Sequence, residues 1–265
     1  MWHMCGRMTQ QTSPEEVARI FDAEVRDSEG DPFAPSWNVA PTDPVTVVLQ
    51  RDDGRSVERH RWGLVPSWAT SVKEGARHIN ARAETVAESA TFRTSFRKRR
   101  CIIPADGFYE WRRVGEKRKQ PWFLGPHAED AVLAMAGLWS VWKDPATGLW
   151  VPSATVITTD ANDDVAQLHD RMPVLLPRDA WQTWLDPQQT DQELLLSLLG
   201  PAPDGVLEMH PVSRRVNDVR EDGPDLVDAV PEEPAGDAPG PGEGAAATRG
   251  SRQGRAAAGQ GTLFD

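Results

Sequence analysis

The sequence predicts an α+β domain built on a large, mostly antiparallel, barrel-like sheet with a few flanking helices. Strand-type segments are many and do not alternate regularly with helices, which argues against a parallel doubly wound sheet. Helix start and stop signals are few, and the chain holds no internal repeat. At Pro231 the composition shifts to Pro, Gly, Ala and scattered charges, with too little apolar surface to fold. The domain is therefore expected to end near 230, with residues 231–265 as a disordered tail.

The first helix starts in Ser13-Pro14-Glu15-Glu16, which reads as a capping box: Ser13 as N-cap, Pro14 at the first helical position, Glu16 reaching back. It packs Val17, Ile20 and Phe21 and ends near Ala23. Ser36 to Pro41 reads as an irregular bend before an apolar strand, Val45 to Leu49. Asp53-Gly54 supplies a hairpin turn and Val57 to Trp62 the returning strand. Trp62-Gly63-Leu64-Val65-Pro66-Ser67-Trp68 is a loop with two indoles, either a packed turn or a wall on which bases stack. Around Asn80-Ala81-Arg82 an extended chain sets Asn80 and Arg82 on one side.

Phe92 to Arg100 predicts a short helix with Phe92 and Phe96 inward and Arg93, Arg97, Lys98, Arg99 and Arg100 largely outward. A buried strand follows from Cys101, whose thiol reads as a small core residue. Gly115 to Lys119 forms a polar hairpin tip before the strand Pro121 to Leu124. Two more strands are expected at Ala131 to Trp142, interrupted by Gly137, and at Ser153 to Thr159. Helices follow at Arg178 to Leu185 and Asp191 to Leu199, the latter capped by Gly200. The last ordered stretch runs from His210 to Val230.

Composition narrows the function. The 265 residues, 39% of them hydrophobic, suffice for one sizeable domain and something extra. The net charge of −11 argues against wholesale binding of nucleic acid, though not against a local basic cleft. Residues 231–265 carry five acids and three arginines, a net of −2, so the remaining −9 lies in the folded part. Two cysteines, Cys5 and Cys101, make no disulfide framework and suit a reducing cytoplasm. No apolar run approaches the ~20 residues of a membrane span.

Chemistry concentrates at Met4-Cys5-Gly6-Arg7. Loss of the methionine would leave a cysteine bearing two nucleophiles, an amine titrating near pH ~8 and a thiol near ~8.5. Such a pair condenses with an aldehyde to an imine that the thiolate closes into a thiazolidine, or attacks an acyl group. The residues alone also leave open an incidental thiol. Gly6 allows close backbone approach and Arg7 suits phosphate. Glu110, framed by Tyr109 and Trp111, has surroundings that tend to raise a carboxyl pKa and let it exchange protons near neutrality. His169, flanked by Asp170 and Arg171, is a proton carrier with an anion holder beside it, or a structural histidine.

Seven stretches together resemble the SRAP family, the SOS response-associated peptidases or abasic-site processing proteins. They are Met4 to Arg7, Trp37 to Pro41, Trp62 to Pro66, Asn80 to Thr85, Pro104 to Trp111, His169 to Pro173 and His210 to Ser213, in the family's order. The resemblance implies that Cys5 captures the open-chain aldehyde of an abasic site in single-stranded DNA as a thiazolidine. Asn80 would orient the sugar, Glu110 shuttle protons and His169 help open the ring. Arg7, Arg82 and Arg171 would hold phosphates, with Asn38, Trp68 and Trp111 also at the DNA. The extra Met1-Trp2-His3 departs from the family, whose nucleophile is the first residue of the mature chain. The chain is therefore expected to begin at Cys5, either by initiation at Met4 with methionine removal or by removal of residues 1–4 as a processed leader. A monomer with no metal or cofactor is also expected. Two rival classes remain: a cysteine peptidase that processes its own N-terminus, and a non-covalent reader of single-stranded or modified DNA. At the far end, Gln260, Leu263 and Phe264 resemble the short peptide with which bacterial repair proteins dock on the replication sliding clamp.

Overall fold

In the computed structural model the described residues are 6–26, 33–115, 118–127 and 132–233. Cys5 and the tail residues Gln260, Leu263 and Phe264 lie outside them. The chain opens with β1 (Met8–Gln10), α1 (Pro14–Phe21) and β2 (Ala23–Val25), followed by β3 (Ser36–Val39), β4 (Pro44–Arg51) and β5 (Gly54–Trp62). A 3₁₀ turn at Val72–Arg77 leads to β6 (Asn80–Arg82), α2 (Arg93–Lys98), β7 (Arg100–Ala105), β8 (Gly107–Arg113) and β9 (Lys119–Pro126). Then come β10 (Leu133–Lys143), β11 (Trp150–Asp160), α3 (Asp163–Ala166), β12 (Arg171–Pro173), α4 (Trp181–Leu185), α5 (Gln192–Ser197) and β13 (Leu207–Pro211).

Two sheets result. One has the order β13-β9-β8-β1-β3; in the other, β12-β11-β10-β7-β4-β5-β2, strand β11 also pairs with β5. That parallel contact, Ser153 with Arg61 and Ala154 with Trp62, closes β4, β5, β11, β10 and β7 into a five-stranded barrel. Alternation along these strands feeds two hydrophobic clusters. Val48, Val57, Ile102, Leu138 and Ile157 meet Phe21, Phe96, Trp181, Trp184 and Leu195 of the helical segments. Helices can only cover a closed barrel from outside, so Val45, Val47, Leu49, Cys101, Ile103, Met135 and Val156 of the other cluster face its interior. That inner cluster continues into Met8, Val39, Phe108 and Leu124 of the second sheet, which therefore caps one mouth. Gln10 reinforces the cap: its Nε2 donates to Thr46 O (3.1 Å) and Pro104 O (2.6 Å), and its Oε1 accepts from Thr46 N (2.8 Å). It bridges β4 and β7, which pair only at Val48–Ile102 and Leu49–Cys101.

The same alternation carries polar residues inward. Glu58 accepts a two-pronged contact from Arg51 (2.9 and 2.6 Å), a hydrogen bond from Ser56 (2.7 Å) and lies 3.3 Å from His60 Nε2. Trp139 lies under the guanidinium groups of Arg51 and Arg99. Burial alone would raise the Glu58 pKa, but His60, Arg51 and Ser56 together outweigh it and hold the carboxyl well below its usual range.

Several local expectations change. Ser13 does cap α1, accepting from Glu16 N at 3.2 Å, but the Glu16 carboxylate pairs with Arg19 and the box is not closed. The capping box that does form is Ser71 with Glu74. Ser36 to Val39 is strand rather than bend because β1 offers it a backbone ladder. β10 runs straight through Gly137, where a Cβ would come within 3.0 Å of Cys101 Sγ. Helix α5 ends at Leu198 in a right-handed conformation, without Gly200 as its cap. Arg100 is buried under the helices rather than in solvent: Phe96, Arg97, Trp184, Asp186 and Gln189 offer it their carbonyls, and burial lowers its pKa to about 10. Cys101 is fully buried, and burial pushes its thiol pKa up. Pro231, Glu232 and Glu233 belong to the described fold; Glu232 pairs with Arg112, and Glu233 with Arg118 and Arg214. Among the described residues no helix is long and apolar enough to cross a membrane.

A carboxyl whose folded pKa is depressed stabilises the fold above its unfolded pKa, near ~4.3, and loses that contribution as pH falls towards the folded value. Glu58→Gln should therefore cost about 2 kcal/mol at pH 7, the scale of hydrogen bonds to a partly buried charge. The cost should shrink progressively below pH ~4. Urea unfolding of both proteins across pH 3–7 checks this; a pH-independent difference would refute it.

Candidate active site

The far end of β11 gathers residues that the sequence scatters. Val156 pairs with Asn80, Thr158 with Arg82 and Asp160 with Arg171. β6 is extended, as the spacing of Asn80 and Arg82 required: Ala81 is buried between them, Asn80 is half-buried and Arg82 is exposed. His169 arrives on the turn after α3, where its N–H bonds Val165 O at 3.0 Å. Its Nδ1 accepts from Arg171 N at 3.1 Å and lies 2.8 Å from Asp170 Oδ1. One nitrogen cannot serve both at once. In the tautomer with Nδ1 unprotonated that nitrogen accepts from Arg171 N; with the proton on Nδ1 it would donate to Asp170 Oδ1.

Arg171 is not a free phosphate fork. Its side chain is 10% exposed, with Nη1 bonded to Glu84 and Asp160 (2.6 Å each) and Nη2 to Glu84 (2.9 Å) and Thr158 O (2.8 Å). The contact also holds the Glu84 carboxyl below its ordinary pKa. Arg171 thereby locks β12 to β11 and to the turn leaving β6, which puts Asn80, Arg82 and His169 on one frame. Neither Glu84 nor Asp160 was singled out from sequence, because only folding brings position 84 to position 171.

Glu110 lies in the capping sheet, on β8, and is buried at 3% exposure. It shares a face with Phe108, so it looks towards the barrel mouth rather than towards Val212 and Val216, where Tyr109 packs. β1 runs antiparallel beside it: Met8 pairs with Phe108, and Tyr109 N donates to Arg7 O at 3.0 Å. That register, continued by one step, sets Gly6 alongside Glu110. Met8 and Phe108 share their hydrophobic cluster with Ile79, Val165 and Met172, so both groups of site residues rest on one core.

Two further DNA candidates have protein partners. Asn38 is buried at 3% exposure and donates from Nδ2 to the carbonyls of Asp218 (3.0 Å) and Glu221 (2.7 Å), with Val216 O at 3.4 Å. Its Oδ1 accepts from Arg7 Nη1 at 2.6 Å, so both donors and one acceptor position are taken by protein. Arg7 Nη1 also reaches Val216 O at 2.6 Å, and its guanidinium sits 6.0 Å over the Trp111 ring, so Arg7 braces the protein instead of standing open to phosphate. Trp111 donates from Nε1 to Asn217 Oδ1 at 2.7 Å. The two indoles read from sequence as one loop divide: Trp62 is the last residue of β5 and fully buried with Nε1 on Ile79 O, while Trp68 lies beyond the strand and is 59% exposed. The close packing of this loop needs glycine. Gly63 adopts φ +116°, and a Cβ there would lie 2.6 Å from Gly75 O. Among the described residues no group of His, Cys, Asp and Glu could hold a metal ion.

The sequence matches the model of the family described as SOS response associated peptidase (SRAP) over residues 4–219. It is 37% identical over 226 residues to the abasic site processing protein YoqW of Bacillus subtilis, covering 85% of this chain and all of that one. It is 33% identical over 266 residues to the abasic site processing protein HMCES of Xenopus tropicalis, covering 86% and 78% respectively. A crystal structure of a Bacteroides thetaiotaomicron protein superposes with a TM-score of 0.75 at 24% identity, over 85% of this chain and all of that one.

The Arg171 contact predicts opposite outcomes for two arginines. Arg171→Ala should cost about 2 kcal/mol, less than a fully buried pair because Glu84 and Asp160 stay hydrated. That is a fall in Tm of roughly 4–8 °C. Arg82→Ala, on an exposed side chain, should leave Tm within about 1 °C. Equal Tm values for Arg171→Ala and the parent protein would refute the locking role.

Proposed function

This chain belongs to the SRAP family, and from that premise we propose that it captures abasic sites in single-stranded DNA through a mature N-terminal Cys5. The observation that carries this reading is the burial of Glu110 beside the strand leading back to Cys5, on the core that also supports Asn80 and His169. The names of YoqW and HMCES point to the same lesion.

The Cys5 amine adds to the aldehyde carbon of the opened deoxyribose, and loss of one water gives an imine. The thiolate then adds to the same carbon, closing a thiazolidine with no change of oxidation state. Each step moves a proton onto or off oxygen or nitrogen, which is the work assigned to Glu110. His169 serves ring opening, and Asn80 orients the sugar. Arg82 contacts phosphate directly; Arg171 does so by giving up the exposed Asp160 for a phosphate oxygen. Trp68 offers a face to a neighbouring base, and Trp111 supports the strand through its edge. The acidity of the rest of the chain disfavours bulk duplex. While Met4 remains attached the amine is an amide, so the reading requires a chain that begins at Cys5.

Intact-mass analysis with abasic single-stranded DNA should give protein beginning at Cys5 plus DNA minus one water. Autocleavage, the chemistry of the family's other name, would only shorten the chain. Cys5→Ala should abolish the heat-stable adduct while leaving non-covalent affinity within about threefold. Glu110→Gln should slow adduct formation by roughly 10²-fold, the lower end for a lost general acid–base. A cross-link that survives Cys5→Ala would replace this mechanism with a lysine Schiff base.

We also propose that Gln260, Leu263 and Phe264 dock on the replication sliding clamp, Leu263 and Phe264 filling an apolar pocket and Gln260 bonding at its rim. A tether of this kind raises local concentration at forks without fixing orientation. A peptide of residues 253–265 should bind the clamp weakly, and Leu263→Ala with Phe264→Ala should abolish binding while abasic-site capture by the whole protein is unchanged. Absence of binding at high micromolar clamp would end this proposal.

A further inference from the structure

Asn38 ties together the elements that lead to the reacting terminus. An asparagine side chain offers two N–H donors and one carbonyl acceptor, and here both donors and the acceptor are spent on protein. The donors hold the carbonyls of Asp218 and Glu221, with that of Val216 near by, and so fold the 216–221 segment onto β3. The acceptor takes Arg7 Nη1. Arg7 is held at a second point, its backbone carbonyl, by Tyr109 N at 3.0 Å. Tyr109 closes the loop, since its hydroxyl donates to Trp37 O at 2.7 Å, one residue from Asn38. The contacts form a circuit, Asn38 to Arg7 to Tyr109 to Trp37 and back, and it encloses the residue next to Glu110.

We propose that Asn38 is a positioning residue for the Cys5 nucleophile, a role that rests on the covalent-capture reading. Arg7 is two residues from Cys5. Fixing it by backbone and side chain anchors the chain two residues past the nucleophile. Attack on the lesion aldehyde requires the amine within near-attack distance, and a displacement of about 1 Å can cost on the order of 10²-fold in rate. Without Asn38 the Arg7 guanidinium loses its side-chain acceptor and keeps Val216 O, and the Nδ2 bonds to Asp218 O and Glu221 O are lost. The terminus then samples orientations that do not react, although DNA contacts on Arg82 and Trp68 stay in place.

The test separates rate from binding. In Asn38→Ala the first-order rate of adduct formation at saturating abasic single-stranded DNA should fall about 10- to 100-fold. Affinity for the same strand carrying a tetrahydrofuran site, which has no aldehyde, should stay within about twofold, as should thiazolidine formation with free acetaldehyde. Tyr109→Phe removes one hydroxyl with little change of volume and should show the same split with a smaller factor. Because the two residues share one circuit, the double variant should lose less than the product of the single losses. Should Asn38→Ala fail to fold, Tyr109→Phe decides alone. An unchanged rate at saturation, or rate and affinity falling by one common factor, would overturn the positioning role. A parent protein that forms no adduct would instead overturn the capture reading.

Discussion

The structure depends on one short parallel contact, the pairing of β11 with β5 at Ser153–Arg61 and Ala154–Trp62. Every other pairing in the barrel is antiparallel and joins strands that an open sheet could also pair. This one turns the sheet into a closed wall, divides the apolar residues into an inside and an outside, and gives the helices one surface to cover. Closure also explains the glycines at 63 and 75: the chain leaving β5 must pass close enough for Gly63 N to bond Ala154 O at 2.8 Å, with the Val72–Arg77 turn packed against it.

The same strand organises the site. Beyond its contact with β5, β11 accepts β6 along one edge and β12 at its end, so Asn80, Arg82 and the residue after Asp170 become neighbours across a few rungs. A ladder of this kind fixes backbones to within hydrogen-bond tolerance, whereas a site built on free loops would need each loop ordered separately. The capping sheet contributes Glu110 from the other direction. The two halves meet over the inner cluster, so a change in barrel packing would be felt as a change in site geometry.

Charge follows a consistent rule. Arg100 satisfies backbone carbonyls, Arg171 a pair of carboxylates, Arg7 an amide and a carbonyl, and Arg214 and Arg215 acidic neighbours. Arginines crowd around the site, yet most are committed to protein partners. Other basic side chains, among them Arg82, Arg93, Arg97 and Lys98, stay exposed on a chain whose net charge is −11. A guanidinium suits a carboxylate or a row of carbonyls as well as it suits a phosphate.

The sequence by itself determined the fold class, the inward Cys101, the extended Asn80-Ala81-Arg82 segment and the start of α1 at Ser13, because each rests on local alternation, capping or turn chemistry. It also located the motifs whose order identifies the family. Tertiary structure alone decided which polar residues are free. Asn38 sits in the five-residue motif Trp37 to Pro41, whose resemblance implies a DNA contact, and the 216–221 segment, far along the chain, arrives to take both its donors. Arg100 continues a basic run and reads as solvated until α4 and the residues after it bring their carbonyls. Strands as short as β1, β6 and β12 have no pattern of their own and exist because a longer neighbour supplies the ladder. Burial and hydrogen-bond partnership are properties of residues distant in sequence, and no local pattern encodes them.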